Sequence, residues 1–144
     1  MKAVVQRVKQ AAVEVDGTEI GRIGSGLLVF LGVAKGDGEA DSRFMIDKIS
    51  GLRIFNDPQG KMNRSLKDTE GSALVISQLT LLGGTTKGRR PGFDQAAPPE
   101  VARSLYGPGH CRASETRDHD RERPVRRPYA GLAEERRAGD IHSR

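Results

Sequence analysis

The residues best suited to chemistry lie close together, between Ser77 and Arg90. Ser77, Gln78 and Thr80 place three hydrogen-bonding side chains around Leu79, where the apolar run Ala73-Leu74-Val75-Ile76 ends. Gly83-Gly84 and two threonines separate them from a basic group, Lys87, Arg89 and Arg90, followed by Pro91. A buried strand that turns polar at one end and feeds a cationic loop can hold an anionic substrate beside reactive groups. The same pattern also suits an ordinary strand end followed by a solvated loop. Thr80 is the candidate hydroxyl. No His or carboxylate stands near it in sequence to act as its base, so a Ser/His/Asp-type triad finds no support. The basic group suits sequence-independent contact with phosphates. Arg7, a lone charge among Val4, Val5 and Val8, suits a structural role.

These residues need elements to position them. Val4, Val5 and Val8 predict a first strand. Ala11–Val15 and Thr18–Ile23 flank Asp16-Gly17, a strong hairpin signal. Leu27–Val33 is too continuously apolar for a half-exposed strand and is read as central. Lys35-Gly36-Asp37-Gly38 reads as a loop without the GK[ST] of a phosphate-binding loop. A helix is expected over 39–50, with Phe44, Met45, Ile49 and Leu52 on one apolar face. Leu52–Phe55 reads as a short strand, Asn56–Gly60 as a turn, and Pro99 as the first position of a second helix. With strands dominant and no βαβ alternation, the expected class is α+β. Its sheet should be mostly antiparallel, or a partly closed β-barrel, with two helices.

Composition divides the chain. It has 144 residues and a net charge of +5, which fits one domain. Residues 1–106 contain every Lys and carry +3; residues 107–144 carry nine Arg, no Lys and seven acids. The second part holds few large apolar residues (Val125, Tyr129, Leu132, Ile141) and cannot bury enough to offset its ordering entropy. One Cys excludes an internal disulfide, and no apolar run has membrane length, so a cytoplasmic protein without a membrane partner is expected. His110-Cys111, His119 and His142 lack metal-ligand spacing, so no metal is expected. The run Arg121–Arg127 resembles an RNA-binding arm, but interleaved acids weaken that reading.

The segments SQLTL, KGRRPGF and AAPPE, in that order, resemble the signature of the D-aminoacyl-tRNA deacylases, which usually read SQFTL, KGRRPSF and APP at this spacing. MKAVVQRV, GLLVFLGVAKGD and LRIFNDPQGKMNRSL resemble the same family, and the resemblance runs from Met1 to about Tyr106. It implies a homodimeric, cofactor-free hydrolase acting on the acceptor end of tRNA. That enzyme would free a D-amino acid, or a misattached glycine, in translational proofreading. It also implies that Ser77, Gln78 and Thr80 line the pocket and that main-chain groups carry much of the recognition. An aminoacyl ester is already activated, so positioning, backbone donors to the oxyanion and the RNA's own terminal hydroxyl can suffice. Leu79 stands where the family has Phe, at the wall near the terminal adenosine, and Gly92 stands where it has Ser. The arginine matching Arg7 braces a partner-subunit loop near the active site. Lys87, Arg89 and Arg90 would meet tRNA phosphates.

The resemblance stops after Tyr106. Related deacylases end in a stretch like FGAxMxVxLxNDGPVT, whose Gly-Pro forms a cis peptide entering the neighbouring subunit's pocket. Read from the second base of each codon, Val125–Tyr129 can encode FGAHM and Arg136–Asp140 can encode DGPVT. A frame slip near 106–109 accounts for this, so the C-terminal strands are expected to be missing. Residues 1–106 then form an incomplete deacylase domain, and 107–144 form an accidental, disordered tail. A chain so altered should be poorly soluble, weakly dimeric and nearly inactive. Two other readings remain: a non-catalytic RNA-binding module, and an inactive frame-damaged family member.

Overall fold

The computed structural model describes residues 1–86, 88–106, 110–112 and 141–143. Strands β1 (Lys2–Val8), β2 (Ala11–Val15), β3 (Thr18–Ile23) and β4 (Gly26–Gly32) open the chain. Helix α1 (Glu39–Gly51) follows, then the short β5 (Phe55–Asn56) and β6 (Met62–Arg64), and then β7 (Ser72–Ser77). A 3-10 turn over Leu79–Leu82 and helix α2 (Pro99–Tyr106) complete the main body. Asp16 and Gly17 both have positive φ, 50° and 76°, as a type I′ hairpin turn between β2 and β3 requires.

The run 26–32 is continuous because β4 is central and covered on both faces. It pairs antiparallel with β1 and parallel with β7. Leu27 and Val29 join Phe55, Leu66 and Ala73 in one core cluster, with Ile49 of α1 packed against it. Leu28 joins Val8, Ala11, Ile23 and Leu74 in the other, against β2 and β3. Successive side chains of a strand point to opposite faces, so a strand buried twice shows no alternation.

Several expectations need correction. The sheet is mixed, with order β1-β4-β7 and then β8 (His110–Arg112), and among the described residues no barrel closes. β3-β2 with β9 (Ile141–Ser143), and β5-β6, form separate sheets, and closure needs a strand ladder that returns to its start. The β4-to-β7 connection through α1 is a parallel crossover of the kind that the absence of βαβ alternation had argued against. Nor are C-terminal strands wholly missing. β8 (His110–Arg112) pairs with β7, and β9 (Ile141–Ser143) pairs with β2. An open strand edge offers unpaired N–H and C=O groups to any extended segment, whatever its side chains. The rest of the tail, expected to be disordered, lies outside the described residues.

Within the body, the anticipated Leu52–Phe55 strand is displaced to Phe55–Asn56, because Leu52 ends α1. The apolar face anticipated for α1 is only half used. Phe44 is 62% exposed with Lys48 over its ring, whereas Ser42 and Ser50 are buried. Ser42 Oγ donates to the Leu105 carbonyl of α2, so close helix contact there takes a small polar residue.

Candidate functional site

The site begins where β7 leaves the sheet. The Gln78 N–H donates to the Leu31 carbonyl at 2.9 Å, one last rung beyond the Leu31–Ser77 pair. The chain then closes the 3-10 turn: Leu81 N–H donates to the Gln78 carbonyl (3.3 Å) and Gly83 N–H to the Thr80 carbonyl (3.1 Å). Leu82 anchors the turn as its buried residue, while Ser77 and Thr80 are exposed. Gln78 Nε2 donates to Thr80 Oγ1 in a close contact. A hydroxyl that accepts from an amide keeps its own proton free to donate. Thr80 can therefore offer an O–H to an ester carbonyl or a water. Thr80 Oγ1 meets no carboxylate or imidazole among the hydrogen bonds of the described residues. The arrangement supplies oriented dipoles without a nucleophile–base pair.

The basic loop is tied to the same end of the sheet. Gly84 and Gly92 exchange both backbone hydrogen bonds at 2.9 Å, forming a neck. Arg89 and Arg90 are exposed beyond it, and Lys87 lies outside the described residues. Beyond the neck, Lys35 N–H donates to the Gln95 carbonyl (2.8 Å) and Ala97 N–H to the Val33 carbonyl (2.9 Å). Asp37 secures this segment by accepting from Ala34 N–H at 2.6 Å and from the Met1 ammonium at 2.7 Å. Burial pushes its carboxyl up, but those two donors outweigh it and hold the group below its ordinary value. Leu31 to Lys35 thus carries both the turn and the far end of the loop.

Ser77, Gln78, Leu79 and Thr80 lie together at the turn, and the Gly84–Gly92 neck of the loop that carries Arg89 and Arg90 follows it directly. Arg7 does not join them. It stands in the row Arg7–Leu27–Ala73, four residues along β7 from Ser77, roughly 13 Å at strand rise. Its guanidinium donates to the Ile54 carbonyl (2.8 Å) and to Asn56 Oδ1 (3.0 Å), joining β1 to β5. Sequence reasoning missed Gly32, over which the turn crosses. The available signal was a glycine closing an apolar strand, which often marks close backbone approach. Among the described residues, no group of three or more His, Cys, Asp or Glu is placed to hold a metal, and no helix is long and apolar enough to cross a membrane.

A site that positions groups without generating a nucleophile can serve a hydrolase whose substrate is already activated. Comparison with known proteins identifies the family. The family model described as D-Tyr-tRNA(Tyr) deacylase matches residues 4–122. A D-aminoacyl-tRNA deacylase of Geobacter sulfurreducens is 58% identical over 106 residues, covering 74% of this chain and 70% of that relative. A solved structure described as "c-Myc DNA Unwinding Element Binding Protein" superposes with a TM-score of 0.69 at 42% identity, covering 74% of this chain and 71% of that one. Another, "Structural Analysis of a probable eukaryotic D-amino acid tRNA deacylase", has a TM-score of 0.61 at 17% identity over 99% of this chain and 92% of that one, a likeness of fold alone. The chain belongs to the D-aminoacyl-tRNA deacylase family, ester hydrolases of translational proofreading.

Proposed function

We propose that this chain hydrolyses the ester bond of D-aminoacyl-tRNA, and of mischarged glycyl-tRNA, at the Ser77–Thr80 turn. The observation that carries this reading is the Gln78-to-Thr80 hydrogen bond in a turn seated on the central strand of a family member. Gln78 fixes the Thr80 hydroxyl, and the freed proton of Thr80 polarises the ester carbonyl or orients the attacking water. Main-chain N–H groups of the turn receive the oxyanion, and Leu79 supplies the apolar wall. Ser77 lines the entrance. Lys87, Arg89 and Arg90 hold acceptor-end phosphates, so substrate binding depends on salt. No cofactor takes part, and the reaction takes place in the cytoplasm, with tRNA.

The working unit is a homodimer. Val4, half exposed on the edge strand β1, lies in one row with the half-buried Phe30 and Ile76, which suits a second copy against that face. Arg7, held by Ile54 and Asn56, then braces a loop of the partner. Residues 1–106 are the deacylase domain, and the tail beyond about Tyr106 is read in a slipped frame. The 106-residue span shared with the Geobacter relative supports that reading, although the family match runs on to residue 122.

The test compares this chain with one whose reading frame is restored near codon 107. D-aminoacyl-tRNA hydrolysis, dimerisation and tail protease resistance are measured in both. The expected result is slow turnover and weak dimerisation in the chain as it stands, with both restored by the frame change. Full activity with chiral selectivity in the chain as it stands would refute the functional consequence of the slipped frame, and a protease-resistant tail would refute its structural one. A salt-dependent tRNA titration without turnover in either would make the protein a binding module.

A further inference from the structure

Two glycines border the turn, and a side chain at either would press on it. A Cβ at Gly32 would stand 3.0 Å from the Gln78 carbonyl oxygen, 3.3 Å from Leu81 Cβ and 3.4 Å from Leu82 Cγ. The Gln78 oxygen is the acceptor that closes the turn onto Leu81 N–H. At the far end, a Cβ at Gly83 would stand 3.1 Å from the Thr80 carbonyl oxygen and 3.1 Å from Phe93 Cε1. Gly83 has φ −60° and ψ 123°, open to any residue, so space and not backbone conformation restricts it.

Magnitudes separate Gly32 from a purely structural glycine. At Gly26 a Cβ would come within 1.8 Å of the Ser72 carbonyl oxygen, a collision between paired strands that the sheet could not absorb. At Gly32 the overlap is a few tenths of an ångström and falls on a turn that can lift. The sheet would survive, but Gln78, Leu79 and Thr80 would move together away from it.

We propose that Gly32 is a positioning residue for the reaction at the Ser77–Thr80 turn: its absent side chain sets the height of the Gln78–Thr80 pair above β4. The proposal rests on the function assigned to that turn. Reactions governed by placement lose rate steeply with displacement, on the order of 100-fold per ångström. A lift of tenths of an ångström should therefore slow chemistry while leaving the phosphate contacts of the basic loop in place.

The test uses the full chain, with Gly32→Ala beside Gly24→Ala, where a Cβ meets nothing within 4 Å. Single-turnover hydrolysis of D-aminoacyl-tRNA, with enzyme in excess, reads the chemical step even when turnover is slow. An amide-linked D-aminoacyl-tRNA analogue reads binding, and amide hydrogen exchange at Leu81 reads the bond that closes the turn. Gly32→Ala should slow the single-turnover step about 5- to 10-fold, speed exchange at Leu81, and leave the Kd of the analogue within about 2-fold. Gly24→Ala should change none of these. A Gly32→Ala rate equal to that of the parent overturns the proposal, as does a loss of rate matched by loss of binding. Should Gly32→Ala fail to fold, Gly83→Ala pushes the turn from its other end and must show the same separation of rate from binding, or the proposal fails. Absence of hydrolysis in this chain and in its frame-restored form alike would refute the assigned function, whereas unchanged Leu81 exchange in Gly32→Ala would refute the seat itself.

Discussion

The turn Leu79–Leu82 and the loop between Gly84 and Gly92 adjoin each other and are held by opposite means. The turn is fastened by a rung to Leu31, by its own closing bonds, by buried Leu82 and by close approach to Gly32. The loop is fastened at its neck, and Thr85, Thr86 and Gly88 to Pro91 are exposed beyond it. The difference fits the roles proposed for each. Short-range polarisation of an ester depends on placement at hydrogen-bond distance. Attraction of a polyanion acts over a Debye length of about 8–10 Å, so charge density suffices and position matters little.

The comparison breaks most visibly if the turn loses its anchor. Leu82→Ala should cost about 2–5 kcal/mol of stability, as buried leucines do, measured by urea unfolding. A loss no larger than that of an exposed residue would mean the turn is not held from below. Next comes Thr80→Ala, which should lower single-turnover hydrolysis about 100-fold while leaving tRNA affinity unchanged. If the rate survives, main-chain donors suffice and Thr80 is structural.

The loop should respond in the complementary way. Replacing Lys87, Arg89 and Arg90 together with alanine should weaken tRNA binding and flatten its salt dependence by about 2 to 3 in log–log slope, with the single-turnover rate at saturation little changed. An unchanged salt slope would remove this loop from the tRNA interface. Gly92→Ser, at a position where a Cβ meets only Asp94 Oδ2 at 3.6 Å, should shift stability by less than about 0.5 kcal/mol.

The smallest effect lies away from both regions, and serves as a control. Asp68 accepts from the Ser65 N–H (2.8 Å) and the Ser65 hydroxyl (2.7 Å), which hold its carboxyl below its ordinary value. A lowered carboxyl stabilises the fold above its unfolded value, and that contribution is lost as pH falls through the folded one. Asp68→Asn should therefore lower the urea midpoint slightly at neutral pH, and the gap from the parent should vanish on acidification. A gap that persists in acid would show that the charge is not its source.

Local chemistry was legible in the sequence because it depends on neighbours along the chain. Asp16-Gly17 specifies a hairpin through the positive φ that both residues tolerate. Pro99 opens α2, and the unbroken apolar run 27–33 marks a strand covered on both faces. The cluster Ser77, Gln78, Leu79 and Thr80, with Arg89 and Arg90 following, was visible as a place for chemistry and led to the family. Only the tertiary structure decided what surrounds that cluster. Pairing β4 parallel to β7, recruiting β8 and β9 to open edges and, among the described residues, leaving the sheet without barrel closure all depend on backbone groups that every residue carries. Arg7 reads as one charge among valines until register places it four residues along the sheet from Ser77 and against Ile54 and Asn56. Gly32 reads as the end of a strand until the turn is found resting on it. The close approach is made by a segment far away in sequence, so a glycine closing an apolar strand signals that something comes near but not what.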